Sequence, residues 1–140
     1  MKKILIYGAG AIGRGYLPWV FKPDSFRYSF VERNKKIRSL LNSSKKYTSY
    51  MTSNNKYNSQ DFHLDICFKP GEELEFIDDF DAILIAVGPR NFPALIPNFV
   101  GKNVPIICFE NNSQLSEEMK LKTGNENVVF GIPDVITSNT

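Results

Sequence analysis

Residues with chemical reach gather first near the amino end. The run Gly8-Ala9-Gly10-Ala11-Ile12-Gly13 follows a short apolar stretch, residues 4–7, and precedes a segment with helical spacing. Strand, glycine-rich turn and helix in that order form a cradle for anions. Gly8 permits the tight turn out of the strand, and Gly10 lets the backbone approach a pyrophosphate with no Cβ in the way. Gly13 lets the helix pack close to the sheet. Ala9, Ala11, Ile12 and Arg14 belong to the same turn, where free N–H groups and the positive end of the helix dipole would face the phosphates. The plain alternative is a structural strand–helix turn that binds nothing.

Glu32 supplies the second half of the pattern, 19 residues after Gly13 and at the close of another strand-like run, residues 26–32. A carboxylate there can accept hydrogen bonds from the hydroxyls of an adenosine ribose. It would also repel a 2′-phosphate, so the expected cofactor is NAD rather than NADP. Arg33 beside it can stack on adenine or pair with a 2′-phosphate. The alternative for Glu32 is an ordinary surface charge. Two more groups stand at carboxyl ends of strands, the edge where ligands bind in open α/β sheets. Val87, Gly88 and Pro89 follow one strand, and Glu110 and Asn111 follow the next. Gly88 suits a close approach of backbone to a cofactor ribose or nicotinamide, and Asn111 offers both donor and acceptor atoms. Each also reads structurally, as a turn at Gly88-Pro89 and as a helix N-cap at Asn111 or Asn112.

The elements that must position these groups alternate. Residues 4–7 read as a strand buried on both faces, and residues 11–21 as a helix in which Pro18 predicts a kink or an early end. Residues 26–32 form the second strand. A polar helix over residues 34–41 turns Ile37, Leu40 and Leu41 inward. From residue 42 to 60 the chain is polar; residues 47–52 and 56–58, around Ser53-Asn54-Asn55, form either a small hairpin or a mobile loop. Phe62, Leu64, Ile66 and Phe68 alternate with His63, Asp65 and Cys67, the period of a half-exposed strand ended by Pro70-Gly71. Strands over 82–87, 104–109 and 127–132 follow, with helices over 92–100 and 113–122 between them. In the last helix Glu117 and Glu118 stand early and Lys120 and Lys122 late, as the helix dipole favours. The acidic cluster Glu72-Glu73, Glu75, Asp78-Asp79 and Asp81 reads as a solvated connection rather than a metal site. The expected fold is α/β: a Rossmann-like doubly wound parallel sheet of about six strands with helices on both faces.

Composition narrows the function. One hundred and forty residues make one domain, and a net charge of +2 with scattered lysine pairs leaves no footprint of a nucleic-acid binder. The apolar start breaks at Gly8 and Gly10, too short for a signal peptide, and no stretch approaches a membrane span. Cytoplasmic location is the expectation. Cys67 and Cys108 fit no metal or redox spacing and read as small buried hydrophobes.

The glycine run continues into Arg14-Gly15, and Gly8-Ala9-Gly10-Ala11-Ile12-Gly13-Arg14-Gly15 resembles the opening of the mannitol-1-phosphate 5-dehydrogenases and their relatives, the polyol-specific long-chain dehydrogenases. Ala86-Val87-Gly88-Pro89 and Cys108-Phe109-Glu110-Asn111 match in the same order, and the tail from Phe130 to Ile136 looks loosely like the lead into that family's second domain. The resemblance implies an N-terminal domain that binds NAD. It also implies a mostly helical C-terminal domain that brings the substrate pocket, with a lysine base and a nearby asparagine and histidine. On this reading residues 1–140 are the dinucleotide-binding domain and contain no catalytic residue. Tyr16, His63 and Lys102 are poorly placed as acids or bases. The expected partners are NAD(H) and a catalytic domain or chain, with self-association as a further expectation. The alternative is a stand-alone NAD(H)-sensing or regulatory module without catalysis.

Overall fold

The computed structural model describes residues 1–15, 17–20, 25–109 and 113–131. Their strands are β1 (Lys2–Tyr7), β2 (Phe26–Val31), β3 (Lys46–Ser53), β4 (Lys56–Phe68), β5 (Ala82–Ile85), β6 (Ile106–Cys108) and β7 (Val128–Phe130). Helices α1 (Ala11–Gly15) and α2 (Leu17–Val20) stand on either side of Tyr16, which lies outside the described residues together with the expected helix end at Phe21. Helices α3 (Lys35–Ser44) and α4 (Ser113–Thr123) follow, and Glu72–Asp79 and Pro93–Phe99 are 3₁₀ segments.

One sheet holds all seven strands in the order β3-β4-β2-β1-β5-β6-β7. Every neighbouring pair is parallel except β3 with β4. With β3 set aside, the six parallel strands run third-second-first-fourth-fifth-sixth, the order of a dinucleotide-binding sheet. The parallel sheet of about six strands is therefore present, with one antiparallel strand added at its edge. The seventh strand comes from the polar segment, which forms a hairpin: Ser53 pairs with Lys56, and Asn54 and Asn55 between them take φ of 50° and 61°. A two-residue turn with both residues left-handed matches the twist of paired strands, and asparagine tolerates that conformation.

The sheet separates two cores. Leu5, Tyr7, Ile83, Ile85 and Cys108 point to one face, under the 3₁₀ segments and α4, where they meet Ile77, Phe99 and Met119. Ile4, Ile6, Tyr28, Phe30 and Leu84 point to the other, against Leu17 and Leu41. Strands buried on both sides explain the continuous apolar runs of β1 and β5.

Four local expectations need correction. Leu40 is 62% exposed, because at 100° per residue only the stripe through Ile37 and Leu41 reaches the sheet from α3. Ile66 faces solvent while Cys67 is buried. Between the pairs Tyr28–Leu64 and Phe30–Cys67, β4 spends one residue more than β2, and this bulge ends the alternation. Glu117 and Glu118 fall past the first turn of α4; Glu118 instead pairs with Lys122 one turn on at 2.6 Å. The acidic cluster is not wholly solvated either. Glu73 is 1% exposed, and its Oε1 accepts the Gly71 N–H. No helix among the described residues is long and apolar enough to cross a membrane.

Candidate dinucleotide site

Gly8 leaves β1 with φ of 98°. A Cβ here would collide with the Ala86 carbonyl oxygen and come within 3.4 Å of Val87 Cγ1. The Gly8 N–H donates to the Val31 carbonyl and the Ala86 N–H to the Tyr7 carbonyl, both at 2.9 Å. The turn is thus stitched to the carboxyl ends of both neighbouring strands, β2 and β5. At Gly13 a Cβ would overlap the Gly8 carbonyl oxygen, so α1 rests directly on the turn. Ala9 is fully buried between them. The Arg14 N–H donates to the Gly10 carbonyl at 3.0 Å, which makes Gly10 the entry to the helix. The amides of Ala11, Ile12 and Gly13 fall in the first turn of α1, where no carbonyl of the helix itself can reach them.

Glu32 stands one residue beyond β2, half-buried. Its Oε1 accepts the Ala9 N–H and its Oε2 the Asn34 N–H, both at 3.3 Å. These are long bonds for an N–H donor, and a carboxylate offers about four acceptor positions. Both oxygens therefore keep capacity for further donors. The loop that carries Glu32 is fixed from behind, because Arg38 Nη1 donates to the carbonyls of Glu32 at 2.9 Å and Arg33 at 3.3 Å. Asn34 then caps α3, its Oδ1 accepting the N–H groups of Lys36 and Ile37 at 2.9 and 3.1 Å.

Arg33 is exposed and reaches across the edge, its Nη1 donating to Asn91 Oδ1 at 3.2 Å. Asn91 Nδ2 donates in turn to the Val87 carbonyl at 3.0 Å. Gly88 turns the chain with φ of 88°, and its carbonyl accepts the N–H groups of Asn91 and Phe92, each at 3.2 Å. Pro89 is exposed and Val87 half-buried. The turn after β1, Glu32 with Arg33, and Val87 to Pro89 thus share the carboxyl edge. Glu110 and Asn111 lie outside the described residues. Asn91 was missed by the sequence reading, since an amide two residues past a proline carries no signal of its own.

Other groups with chemical reach stand elsewhere. His63 is exposed and lines a groove of about 470 Å³ with Met1, Phe26, Arg27, Asp61 and Asp65, at the amino end of β2. Lys102 pairs with Asp78 at 3.1 Å. Burial first, and the Glu32 charge second, push the Cys67 thiol up to about 11. It stays protonated near neutrality and is no nucleophile.

The strand order, the glycine turn after β1 and the acidic residue after β2 define a Rossmann domain of the dinucleotide-binding class. Known proteins then narrow the class. The chain is 31% identical over 107 residues to the mannitol-1-phosphate 5-dehydrogenase of Lactococcus lactis, a match covering 74% of this chain and 27% of that protein. It is 28% identical over 139 residues to the mannitol-1-phosphate 5-dehydrogenase of Mycoplasma pneumoniae, covering 93% of this chain and 38% of that protein. The resemblance read from the glycine motif is therefore present along most of the chain, which spans about a third of the length of these relatives. No protein-family model matches it. Among solved structures, a Gfo/Idh/MocA family oxidoreductase from Vibrio cholerae superposes with a TM-score of 0.63 at 15% identity, covering 95% of this chain and 38% of that one. That likeness concerns the fold. Taken with the dehydrogenase relatives, it indicates an oxidoreductase domain of the kind that binds a nicotinamide dinucleotide, NAD or NADP.

Proposed function

We propose that this chain is the NAD(H)-binding domain of a cytoplasmic oxidoreductase of the mannitol-1-phosphate or polyol dehydrogenase type. The observation that carries the reading is the Glu32 carboxylate, hydrogen-bonded to the Ala9 amide of the glycine turn with acceptor capacity to spare. In this reading Gly8, Ala9, Gly10, Ala11, Ile12, Gly13 and Arg14 hold the pyrophosphate, and Glu32 accepts from the adenosine ribose. Val87, Gly88 and Pro89 run along the nicotinamide side, and Glu110 and Asn111 are further cofactor-binding residues in this reading. Negative charge at Glu32 disfavours a 2′-phosphate, which selects NAD over NADP. When bound, the cofactor gives or takes a hydride at a carbonyl or alcohol carbon of a polyol or sugar phosphate. The residues of this chain fix its position, and the groups that hold the substrate and move its proton come from a further domain or a partner chain.

Thermal unfolding with NAD, NADH, NADP and no ligand tests the reading. At about 100 times its dissociation constant a ligand adds about 2.7 kcal/mol, enough for a shift of several degrees in a domain of this size. The expected result is a shift with NAD or NADH and little with NADP. Glu32→Gln should reduce the NAD shift and narrow the preference. Equal shifts for both cofactors in the wild-type chain would remove Glu32 as the selector, and no shift with any of them would overturn the reading.

A further inference from the structure

Strands β2 and β5 flank β1 in the sheet, so the loops that leave their carboxyl ends stand roughly 10 Å apart, two strand spacings. The Arg33–Asn91 hydrogen bond, 3.2 Å long, closes that gap above the glycine turn. Asn91 is committed on both sides of its amide: Oδ1 accepts from Arg33, and Nδ2 donates to the Val87 carbonyl at 3.0 Å. Its backbone N–H is held by the Gly88 carbonyl at 3.2 Å. Held to the Val87 carbonyl through Nδ2 and to the Gly88 carbonyl through its backbone N–H, Asn91 makes a firm anchor for a mobile side chain. Without an anchor an exposed arginine samples many rotamers, and ordering it on binding costs free energy.

We infer that Asn91 is a positioning residue for the adenosine end of the cofactor, holding the Arg33 guanidinium across the carboxyl edge of the sheet and thereby favouring NADH over NADPH. The inference rests on the dinucleotide reading of the turn and adds to it a residue and a basis for selectivity. A guanidinium held by Asn91 presents a planar, preorganised face to an adenine. The same hold keeps it from turning to a 2′-phosphate, the strongest competitor for an arginine fork. Glu32 sets selectivity by repulsion, and Asn91 sets it by withholding the neighbouring cation.

Fluorescence titration of NADH and NADPH separates the outcomes, using the wild-type chain, Asn91→Ala, Arg33→Ala and the double variant. Losing one hydrogen bond of this kind should weaken NADH roughly three- to tenfold in Asn91→Ala and shift the NADPH-to-NADH affinity ratio upward. In the Arg33→Ala background the same substitution should cause no further loss, because contacts that act through one another are not additive. An Asn91→Ala affinity equal to wild type overturns the inference. So does the same loss with and without Arg33, since Asn91 would then act through the Val87 backbone. Should Asn91→Ala fail to fold, Arg33→Lys keeps the charge and removes the fork, and unchanged NADH affinity and selectivity in that variant overturns the inference equally. A wild-type chain that binds neither nucleotide overturns the dinucleotide reading itself, whereas a wild-type chain that binds NADH with Asn91 immaterial overturns only this step.

Discussion

At Gly8 two independent constraints meet. Its φ of 98° lies where a side chain is strained, and a Cβ would strike the Ala86 carbonyl oxygen. The glycine is therefore required by the fold before any ligand is considered, and Gly13, which would overlap Gly8 itself, is required by the seating of α1. Gly8→Ala should lower the unfolding free energy by at least ~2 kcal/mol, the strain of the conformation plus the cost of moving the end of β5. Urea denaturation reads this directly, and a loss under ~0.5 kcal/mol, the scale of an ordinary surface change, would show that the turn relaxes freely. The spacing of Gly8 and Gly13 was legible because each does a backbone job that no other residue does as well. Asn91 was not legible, because its role exists only once the ends of β2 and β5 are brought together.

The elements show how side chains complete a strand where no partner strand continues. Pairing of β3 with β4 ends at Lys46 and His63. Beyond it the outward backbone of β4 is met from the end of α3. The Leu64 N–H donates to the Lys45 carbonyl at 3.0 Å, and Lys45 Nζ donates to the Asp65 carbonyl at 2.9 Å. Asn42 then takes both backbone groups of Cys67, accepting its N–H and donating to its carbonyl at 2.8 Å each. An asparagine amide carries the same donor and acceptor as a peptide, so it can stand in for a strand residue. Asn42→Ala should therefore destabilise by about 2 kcal/mol, leaving two partly buried groups without this partner. Measured stability within ~0.5 kcal/mol of wild type would mean that water replaces the amide at no loss. Trp19 fastens the hairpin from the other side: its Nε1 donates to Ser49 Oγ at 2.8 Å, and that hydroxyl donates to the Gly15 carbonyl at 3.1 Å. The polar segment from residue 42 to 60 was ambiguous in the sequence because strand pairing, the packing of Tyr47 on Phe30 and Phe62, and these polar contacts hold it in place without an apolar periodicity.

For the molecule as a whole, burial of titratable groups sets the response to alkali. Cys67 titrates at about 11 in the fold against 9.0 for a free thiol, and burial also raises the phenols of Tyr7, Tyr28 and Tyr47. In each case the fold favours the neutral form, so the unfolded chain gives up its protons at lower pH and holds fewer of them. Stability from these groups is fully present below about pH 9 and declines as pH rises toward and beyond about 11. The urea midpoint should fall steadily over that window, and a midpoint flat to pH 11 would contradict the assignment. The two cores behind this burial, one on each face of the sheet, were read correctly as a class from continuous apolar runs separated by turns and helices.

The sequence by itself determined the parallel core, the glycine turn and the position of Glu32, because each depends on residues close together in the chain: strand hydrophobicity, backbone freedom, and an acid at a strand end. Tertiary structure alone decided the bulge that turns Ile66 outward, the hairpin that adds a seventh strand, the burial of Glu73, and the bridge from Arg33 to Asn91. These arise between segments 58 residues apart in the case of the bridge, where strand order and register place side chains together. A local pattern specifies what an element is, and only the packed sheet specifies what stands beside it.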